Sequence, residues 1–300
     1  MSKQVWTTDN IPDQTGRVAI VTGSNSGIGY ETAKVLAERH AHVIIAVRTL
    51  EKGETARSAI LAFAPEAKVT VMQVDLANLQ SVKSFSETFH QEFSQLDILI
   101  NNAGIMIPPY SKTVDGFESQ IGTNHFGHFV LTSLLYGLLS KTPESRVTNV
   151  SSNAHNMGKL DFDDLQWESR KYVPFKAYGD SKIANLYFTL EMARRLEKAG
   201  SKVMTTAAHP GLTQSNLAKS KILRGINQIF AQNAFMGALP TLMAAIETSA
   251  KNGDYFGPSG WSEWRGYPKL VHSNKLSRDE ALAKKLWAIS EDLTGIKFPI

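Results

Sequence analysis

The sequence contains no cysteine among its 300 residues. Disulfide bonds, thiolate metal sites and cysteine nucleophiles are therefore excluded, and a reducing compartment fits this composition. The chain also lacks a long run of like charges, and its formal net charge is only +4. A nucleic-acid-binding tail is therefore not indicated.

Long hydrophobic runs are missing as well, since no uninterrupted apolar stretch could span a bilayer. The segment Met1–Gly16 has no apolar core and contains acidic residues, so it resembles neither a signal peptide nor a transit peptide. The remaining balance, 42% hydrophobic and 20% charged residues, is that of an ordinary globular protein. We expect a cytoplasmic protein without a membrane anchor.

A glycine-rich turn stands between a predicted strand and a predicted helix. The β-branched run Val18–Thr22 precedes the turn, and a helical pattern from Tyr30 to Ala37 follows it. Glycines permit a tight turn and close backbone approach, and a helix N-terminus offers free N–H groups to a pyrophosphate. A purely structural turn is the alternative. The candidate dinucleotide contacts are Gly23, Ser24, Asn25, Ser26, Gly27, Ile28 and Gly29.

The second predicted strand is not followed by an acidic residue. His42–Val47 is almost wholly apolar, as expected of a parallel strand covered on both faces, and Arg48 follows it. An NAD-binding unit would place an acid here to hold the ribose 2′-hydroxyl, but none lies between Val43 and Leu50. A guanidinium suits a 2′-phosphate, although a solvated loop arginine is the alternative. We therefore predict NADP(H).

Two further predicted strands end in short polar side chains. Val69–Val74 leads into Asp75-Leu76, and Leu96–Ile100 leads into Asn101–Gly104. An acid beside the expected adenine site can accept from an amine, and small residues allow close approach to a flat ligand. The alternatives are an N-cap at Asp75 or Asn78 and an ordinary Asn-Gly turn. The candidate contacts are Asp75, Leu76, Asn102, Ala103 and Gly104.

A long helix is predicted from about residue 116 to residue 140. It contains Asn124 and the pair His125 and His128, spaced as possible metal ligands. No third ligand accompanies the two histidines at helical spacing, so we expect no metal and regard both as buried or hydrogen-bonded.

Tyr178 and Lys182 lie four residues apart, which is one turn along the same helix face. A phenol titrates near ~10, so proton exchange near neutrality requires a pKa about 3 lower, and a nearby ammonium can supply part of that change. The strand predicted before this helix ends in Ser151 and Ser152, which alternation sends to opposite faces. Chance spacing with a solvated lysine is the alternative.

The C-terminal part continues the alternation of strands and helices. Lys202–His209 and Tyr255-Phe256 are predicted strands, Phe235–Glu247 is a predicted helix, and Ser277–Glu280 is a predicted capping box opening the last helix. Apolar residues recur at helical spacing within about 213–235, which predicts either a lid or an amphipathic surface helix.

These elements predict the fold class. Six or seven strands alternating with helices, without a linker or an internal repeat, indicate an α/β protein. We expect a single doubly wound, Rossmann-type parallel sheet of about seven strands with helices on both faces, spanning residues 1–300.

Five features in one order resemble the short-chain dehydrogenase/reductase family. They are Thr22–Gly29, Asn101–Gly104, Asn124, Ser151-Ser152, and Tyr178 with Lys182. Three more stretches, Gly122–Phe129, Asn156–Tyr172 and His209–Gly211, are similar to retinol dehydrogenases, WW-domain oxidoreductases and protochlorophyllide reductases.

The resemblance implies a role for each catalytic residue. Tyr178 would be the general acid/base, Lys182 would lower its pKa and hold the nicotinamide ribose, and Ser152 would polarise the substrate oxygen. Asn124 would bend its helix and seat a water in a proton relay through Lys182. The cofactor would lie along the glycine turn, Arg48, Asp75, Leu76, Asn102, Ala103, Gly104, Pro210, Gly211, Leu212 and Thr213.

The chain also departs from the family pattern. Ser152 and Tyr178 are 26 residues apart, about twice the usual family spacing, so an insertion at about 153–177 is expected beside the pocket. The retinol-dehydrogenase-like branch has the same insertion. The absence of an N-terminal anchor separates the chain from membrane-bound retinol enzymes, and the absence of cysteine argues against light-driven pigment reduction.

The predicted function is NADP(H)-dependent interconversion of a carbonyl and an alcohol, on an apolar aldehyde or ketone. Pocket walls are expected from Met106, Ile107, the segment near Phe230, and Trp261 or Trp264. A catalytically silent NADP-binding regulatory protein is the alternative, and a nucleotide-sugar epimerase or dehydratase is a third. A monomer and a homo-oligomer are both compatible with the sequence.

Overall fold

A single sheet organises the computed structural model, which describes residues 5–213 and 231–300. Its eight strands lie in the order β3-β2-β1-β4-β5-β6-β7-β8. They are β1 (Val18–Thr22), β2 (His42–Val47), β3 (Val69–Gln73), β4 (Ile98–Asn101), β5 (Arg146–Val150), β6 (Met204–Ala208), β7 (Tyr255–Pro258) and β8 (Pro268–Val271). Strands β1 to β7 are parallel, and β8 pairs antiparallel with β7.

The helices cover both faces of this sheet. They are α1 (Gly27–Glu38), α2 (Leu50–Phe63), α3 (Leu79–Glu92), α4 (Ser119–Ile121), α5 (Gly127–Lys141), α6 (Pro174–Lys198), α7 (Ala234–Ile246) and α8 (Glu280–Thr294). In β1, Ala19 and Val21 belong to the apolar core with α1, α2 and α7, whereas Ile20 belongs to the core with α3, α5 and α6. This alternation confirms the predicted doubly wound α/β fold.

Strand β8 was not predicted. Its two central residues are exposed and only its ends, Pro268 and Val271, are buried. An edge strand that begins with proline and is half exposed has no apolar run to mark it. The sheet therefore has one strand more than expected, and that strand runs antiparallel.

Helix α6, which carries Tyr178, begins at Pro174, a first-turn proline four residues before the tyrosine. The predicted capping box at Ser277 is wrong, because the N-cap of α8 is Asp279, whose carboxylate accepts the N–H of Leu282 at 3.0 Å. Ser277 instead lies in a preceding 3-10 turn and donates to the carbonyl of Asn274.

The segment 153–177, predicted as an insertion, packs against the first turns of α6. It opens with a 3-10 helix over Asn153–Met157. A Cβ on Gly158 would overlap the carbonyl oxygen of Gly179, and the N–H of Lys159 donates to Asp180 at 2.7 Å. The start of this segment is therefore fixed to the helix that carries Tyr178.

The end of the segment 153–177 is fixed to the chain around α4. The Tyr172 hydroxyl donates to Glu118 at 2.8 Å and accepts from Gln120 at 2.8 Å. Gln120 also accepts the N–H of Ile107 at 2.9 Å, so it ties residues 153–177 to the segment after β4.

Residues 214–230 of the predicted lid lie outside the described residues. Within the part of the chain that the structure describes, no helix combines the length and the apolarity needed to cross a membrane.

We predict that Gly179→Ala destabilises the protein. The new Cβ would lie 2.8 Å from the carbonyl oxygen of Ala154, which is backbone and cannot move cheaply. The expected loss in the free energy of unfolding is about 1–3 kcal/mol, measured by chemical denaturation.

Gly137→Ala is the matched control, because this exposed helical glycine has nothing within 4 Å of the added methyl. The Gly137→Ala variant should gain up to about 1 kcal/mol in the free energy of unfolding, because alanine has the higher helix propensity. Equal stability of the two variants would contradict the close packing at Gly179.

Candidate active site

The predicted site residues meet at one edge of the sheet. Because β1 to β7 are parallel, the loops after these strands open on the same side. The glycine turn follows β1, Asn102 to Gly104 follow β4, and Ser152 follows β5. The edge therefore joins the predicted cofactor contacts to the predicted catalytic residues.

The glycine turn is tight and packs closely against the segment after β4. Gly23 has φ +68°, and a Cβ on it would lie 2.9 Å from Cα of Ala103. A Cβ on Gly29 would lie 2.6 Å from the carbonyl oxygen of Gly23, so both positions demand glycine. Ser26 precedes α1 in an extended conformation without a side-chain cap, which leaves the first-turn N–H groups free of a capping side chain.

The side chain of Thr22 holds the segment after β4. Its hydroxyl oxygen accepts the N–H groups of Asn102 and Ala103, both at 2.9 Å. The Asn102 side-chain amide donates to the Thr22 carbonyl at 2.7 Å. The glycine turn and the Asn102–Gly104 segment are therefore one connected unit. Sequence reasoning used Thr22 only as part of the glycine motif and missed this role.

The residues expected to contact the adenosine part of the cofactor differ in their exposure. The side chain of Arg48 is exposed just after β2, and Asp75 is half-buried and accepts the N–H of Ala77 at 3.0 Å. Asn78, not Asp75, is the N-cap of α3. Leu76 is buried in the core, so only its backbone is available to a ligand.

Tyr178 and Lys182 lie on one face of α6, as predicted. The Lys182 ammonium is buried, lies 5.7 Å from the Tyr178 ring centroid, and donates to the carbonyl of Val150 at 3.0 Å. Burial lowers the pKa of Lys182 to about 8.

The expected lowering of the Tyr178 pKa is wrong for this structure. Burial raises the pKa of Tyr178 to about 12, and Ser152 offsets only part of that rise. Desolvation of the phenolate therefore outweighs the lowering effect of Ser152. At neutral pH the Tyr178 side chain is a phenol that can donate a proton.

The two serines after β5 point to different partners. Ser151 is buried and its hydroxyl donates to the carbonyl oxygen of Lys182 at 2.8 Å. Ser152 is half-buried, accepts the N–H of Ala154 at 3.2 Å, and lies close enough to the Tyr178 phenol to lower its pKa. The structure therefore brings Ser152, rather than Ser151, to Tyr178.

Asn124 connects the segment after β4 with α6. It lies in a π-helical segment, Gly122–Phe126, which interrupts the long helix between α4 and α5. Its side-chain oxygen accepts the N–H of Ile105 at 2.8 Å, and its amide donates to the Ile105 carbonyl and to Ser181 at 3.0 and 2.9 Å. The helix is distorted at Asn124, as the resemblance implies.

The two histidines of this helix bond to different elements. Nε2 of His125 lies 2.9 Å from the Ser290 hydroxyl on α8, whereas Nε2 of His128 lies 2.9 Å from the Thr22 hydroxyl on β1. Burial lowers both pKa values, to about 3 and about 4 respectively. Among residues 5–213 and 231–300, no cluster of three or more potential ligands could hold a metal ion.

The segment after β6 is held by a turn at 260–266. The N–H of Leu212 donates to the carbonyl of Trp264 at 2.7 Å, and the Thr213 hydroxyl donates to the Pro210 carbonyl at 2.8 Å. Nε2 of His209, just before this segment, lies 2.9 Å from the Glu263 carboxylate.

The same turn reaches the residue after Ser152. The side-chain amide of Asn153 donates to the carbonyl oxygen of Glu263 at 3.2 Å. Sequence reasoning missed Glu263, because only the fold brings it to this edge and no local pattern marks it.

The expected pocket walls are only partly described. Met106 and Ile107 are half-buried in the segment after β4, and Phe230 lies outside the described residues. Trp261 is 78% exposed and Trp264 is 39% exposed, with their rings 5.1 Å apart in a T-shaped contact.

The chain is similar to known proteins over most of its length. The family model for short chain dehydrogenase matches residues 17–224. Mouse retinol dehydrogenase 11 is 42% identical over 289 residues, covering 94% of this chain and 87% of that protein. Human retinol dehydrogenase 12 is also 42% identical over 289 residues, with 94% and 88% covered.

A solved structure is similar over the whole chain. It is the crystal structure of an uncharacterised protein from Mycobacterium paratuberculosis, 43% identical, with a TM-score of 0.85 and coverage of 99% of this chain and 100% of that one. The chain belongs to the short-chain dehydrogenase/reductase family, in its retinol dehydrogenase-like branch, and is an oxidoreductase of a family that binds a nicotinamide dinucleotide.

Proposed function

We propose that this protein is an NADP(H)-dependent oxidoreductase that interconverts an apolar aldehyde or ketone with its alcohol. The observation that carries the proposal is the grouping of Ser152, Tyr178 and buried Lys182 at the sheet edge that also carries the glycine turn. When bound, the nicotinamide supplies or accepts the hydride. The residues of the chain bind the substrate oxygen and move its proton.

The protonation states suit carbonyl reduction. Tyr178 is neutral at physiological pH because burial raises its pKa to about 12, so it can give its proton to the developing alkoxide. Ser152, beside the same phenol, donates to the substrate oxygen and stabilises its charge. Lys182 supplies a positive charge one turn away.

The burial of Lys182 favours an enzyme over a silent NADP-binding protein. Its pKa is lowered to about 8 by desolvation, so holding the ammonium there costs folding free energy. A regulatory protein that only senses a dinucleotide needs the glycine turn and a phosphate contact, and it has no use for this buried cation.

NADP(H) is favoured by the end of β2. Arg48 is exposed there, and the loop that follows Val47 carries no acid before Glu51. A guanidinium pairs with a 2′-phosphate, whereas an acid would repel it.

The insertion is proposed as the element that selects the substrate within a single catalytic domain. Its two ends are anchored to α6 and to the segment around α4, through Asp180 and Glu118. It therefore lies between the two elements that flank the reacting centre. The cytoplasmic location remains a prediction.

We expect Tyr178→Phe to reduce turnover by at least about 100-fold, the usual scale for loss of a general acid. The ring is kept, so NADPH affinity should change less than threefold. The measurement is NADPH absorbance against aldehydes, aliphatic and aryl ketones, retinoids and steroids, together with NADPH binding by fluorescence. Full activity in this variant would refute the role of Tyr178.

We expect Arg48→Glu to weaken NADPH binding by roughly 10- to 100-fold, the scale of a charged hydrogen bond, and NADH binding far less. Lys52→Glu is the matched control, because this exposed lysine on α2 undergoes the same charge change close to Arg48. Dissociation constants for both cofactors should separate the two variants. Equal losses for NADPH and NADH in Arg48→Glu would exclude a 2′-phosphate contact.

A further inference from the structure

His128 links the cofactor-binding edge to Asn124 through two hydrogen bonds. It is buried in α5, just after the π-helical segment that contains Asn124. Its Nδ1 lies 3.1 Å from the Asn124 carbonyl oxygen, and its Nε2 lies 2.9 Å from the Thr22 hydroxyl. Neither contact is used by the proton transfer proposed above.

The partners of His128 determine its tautomer. A carbonyl oxygen can only accept, so Nδ1 carries the proton that faces Asn124. In a neutral ring Nε2 is then an acceptor, and it takes the hydroxyl proton of Thr22. Burial keeps the ring neutral, since it lowers the pKa of His128 to about 4. No acidic group is among the causes of that pKa, and Lys182 acts in the same direction as burial.

The hydroxyl of Thr22 is oriented by the same contact. Its oxygen already accepts two backbone N–H groups, those of Asn102 and Ala103. Its proton can go to Nε2 of His128 at 2.9 Å or to the Ile100 carbonyl at 3.3 Å, and the shorter contact is to the histidine. The lone pairs of the Thr22 hydroxyl oxygen therefore point toward the N–H groups of Asn102 and Ala103.

We propose that His128 is a positioning residue that fixes the cofactor-binding backbone of Asn102 and Ala103, through Thr22, relative to Asn124. A directional chain of hydrogen bonds runs from these two N–H groups to Thr22, then to His128, and then to the Asn124 carbonyl. This inference concerns the binding of the cofactor and does not depend on the proposed reaction.

Two substitutions of His128 each retain a different one of its two contacts. The amide of His128→Gln reaches the position of Nε2 and can accept from Thr22, whereas that of His128→Asn reaches only the position of Nδ1 and faces Asn124. We expect NADPH affinity within about threefold of wild type for His128→Gln, and about tenfold weaker for His128→Asn, the scale of one buried hydrogen bond. Comparable affinities in the two variants would overturn the proposal.

A double-mutant cycle tests whether His128 acts through Thr22. His128→Leu and Thr22→Val should each weaken NADPH binding about tenfold, and the double variant should also be about tenfold weaker, since both changes break one chain. A loss of about 100-fold in the double variant would show independent effects and refute the inference. NADH is titrated in parallel, and the tighter cofactor is used for the cycle.

His125→Leu controls for the loss of a buried histidine. His125 lies three residues earlier in the same helix and bonds to Ser290 on α8, so this variant should lose stability without losing cofactor affinity. An affinity loss equal to that of His128→Leu would mean that packing alone is responsible. Thermal unfolding of each variant identifies those that fold.

The experiments distinguish a failure of the proposed function from a failure of the role proposed for His128. Wild-type protein that binds NADPH without reducing any carbonyl would refute the reaction and leave the binding cycle to decide the role of His128. Active wild-type protein with an additive cycle would refute the role of His128 alone.

Discussion

The site depends on the hydrogen bond from the Lys182 ammonium to the carbonyl oxygen of Val150, 3.0 Å long. It fixes the middle of α6 to the end of β5, and the hydroxyl of Ser151 repeats that connection in the other direction by donating to the Lys182 carbonyl. Ser152 follows immediately and therefore meets Tyr178, one turn before Lys182 on the same helix. The cost of this arrangement is a desolvated ammonium whose pKa falls to about 8. A buried cation held in this way is expected where charge develops during a reaction.

Much of the fold and of this site could be predicted from the sequence because the signals are local. The apolar run Val18–Thr22 and the glycines after it mark a strand and a turn, and the spacing of Tyr178 and Lys182 fixes their shared helix face. The strand β8 could not be predicted, since half of it is exposed and its pairing with β7 arises only in the folded sheet.

The parts that escaped prediction are long-range polar contacts. Thr22 and His128 are 106 residues apart, and His209 and Glu263 are 54 apart, so no spacing rule connects them. The direction of the Tyr178 pKa change could not be predicted either, because a sequence shows the neighbouring lysine but not the burial that raises the pKa of the phenol. Sequence patterns thus locate chemical groups along the chain, whereas solvent exposure and partners decide their protonation.

The central claim is that this edge of the sheet transfers a hydride to a carbonyl and that Tyr178 supplies the proton. The most direct measurement is isotopic: carbonyl substrates are incubated with NADPH that carries deuterium at both C4 positions of the nicotinamide, and the product is examined by mass spectrometry and NMR. A hydride-transferring enzyme should place deuterium on the new carbinol carbon of one of the substrates. Cofactor binding without any transfer of the label across the whole carbonyl panel would contradict the claim and favour a silent NADP-binding protein.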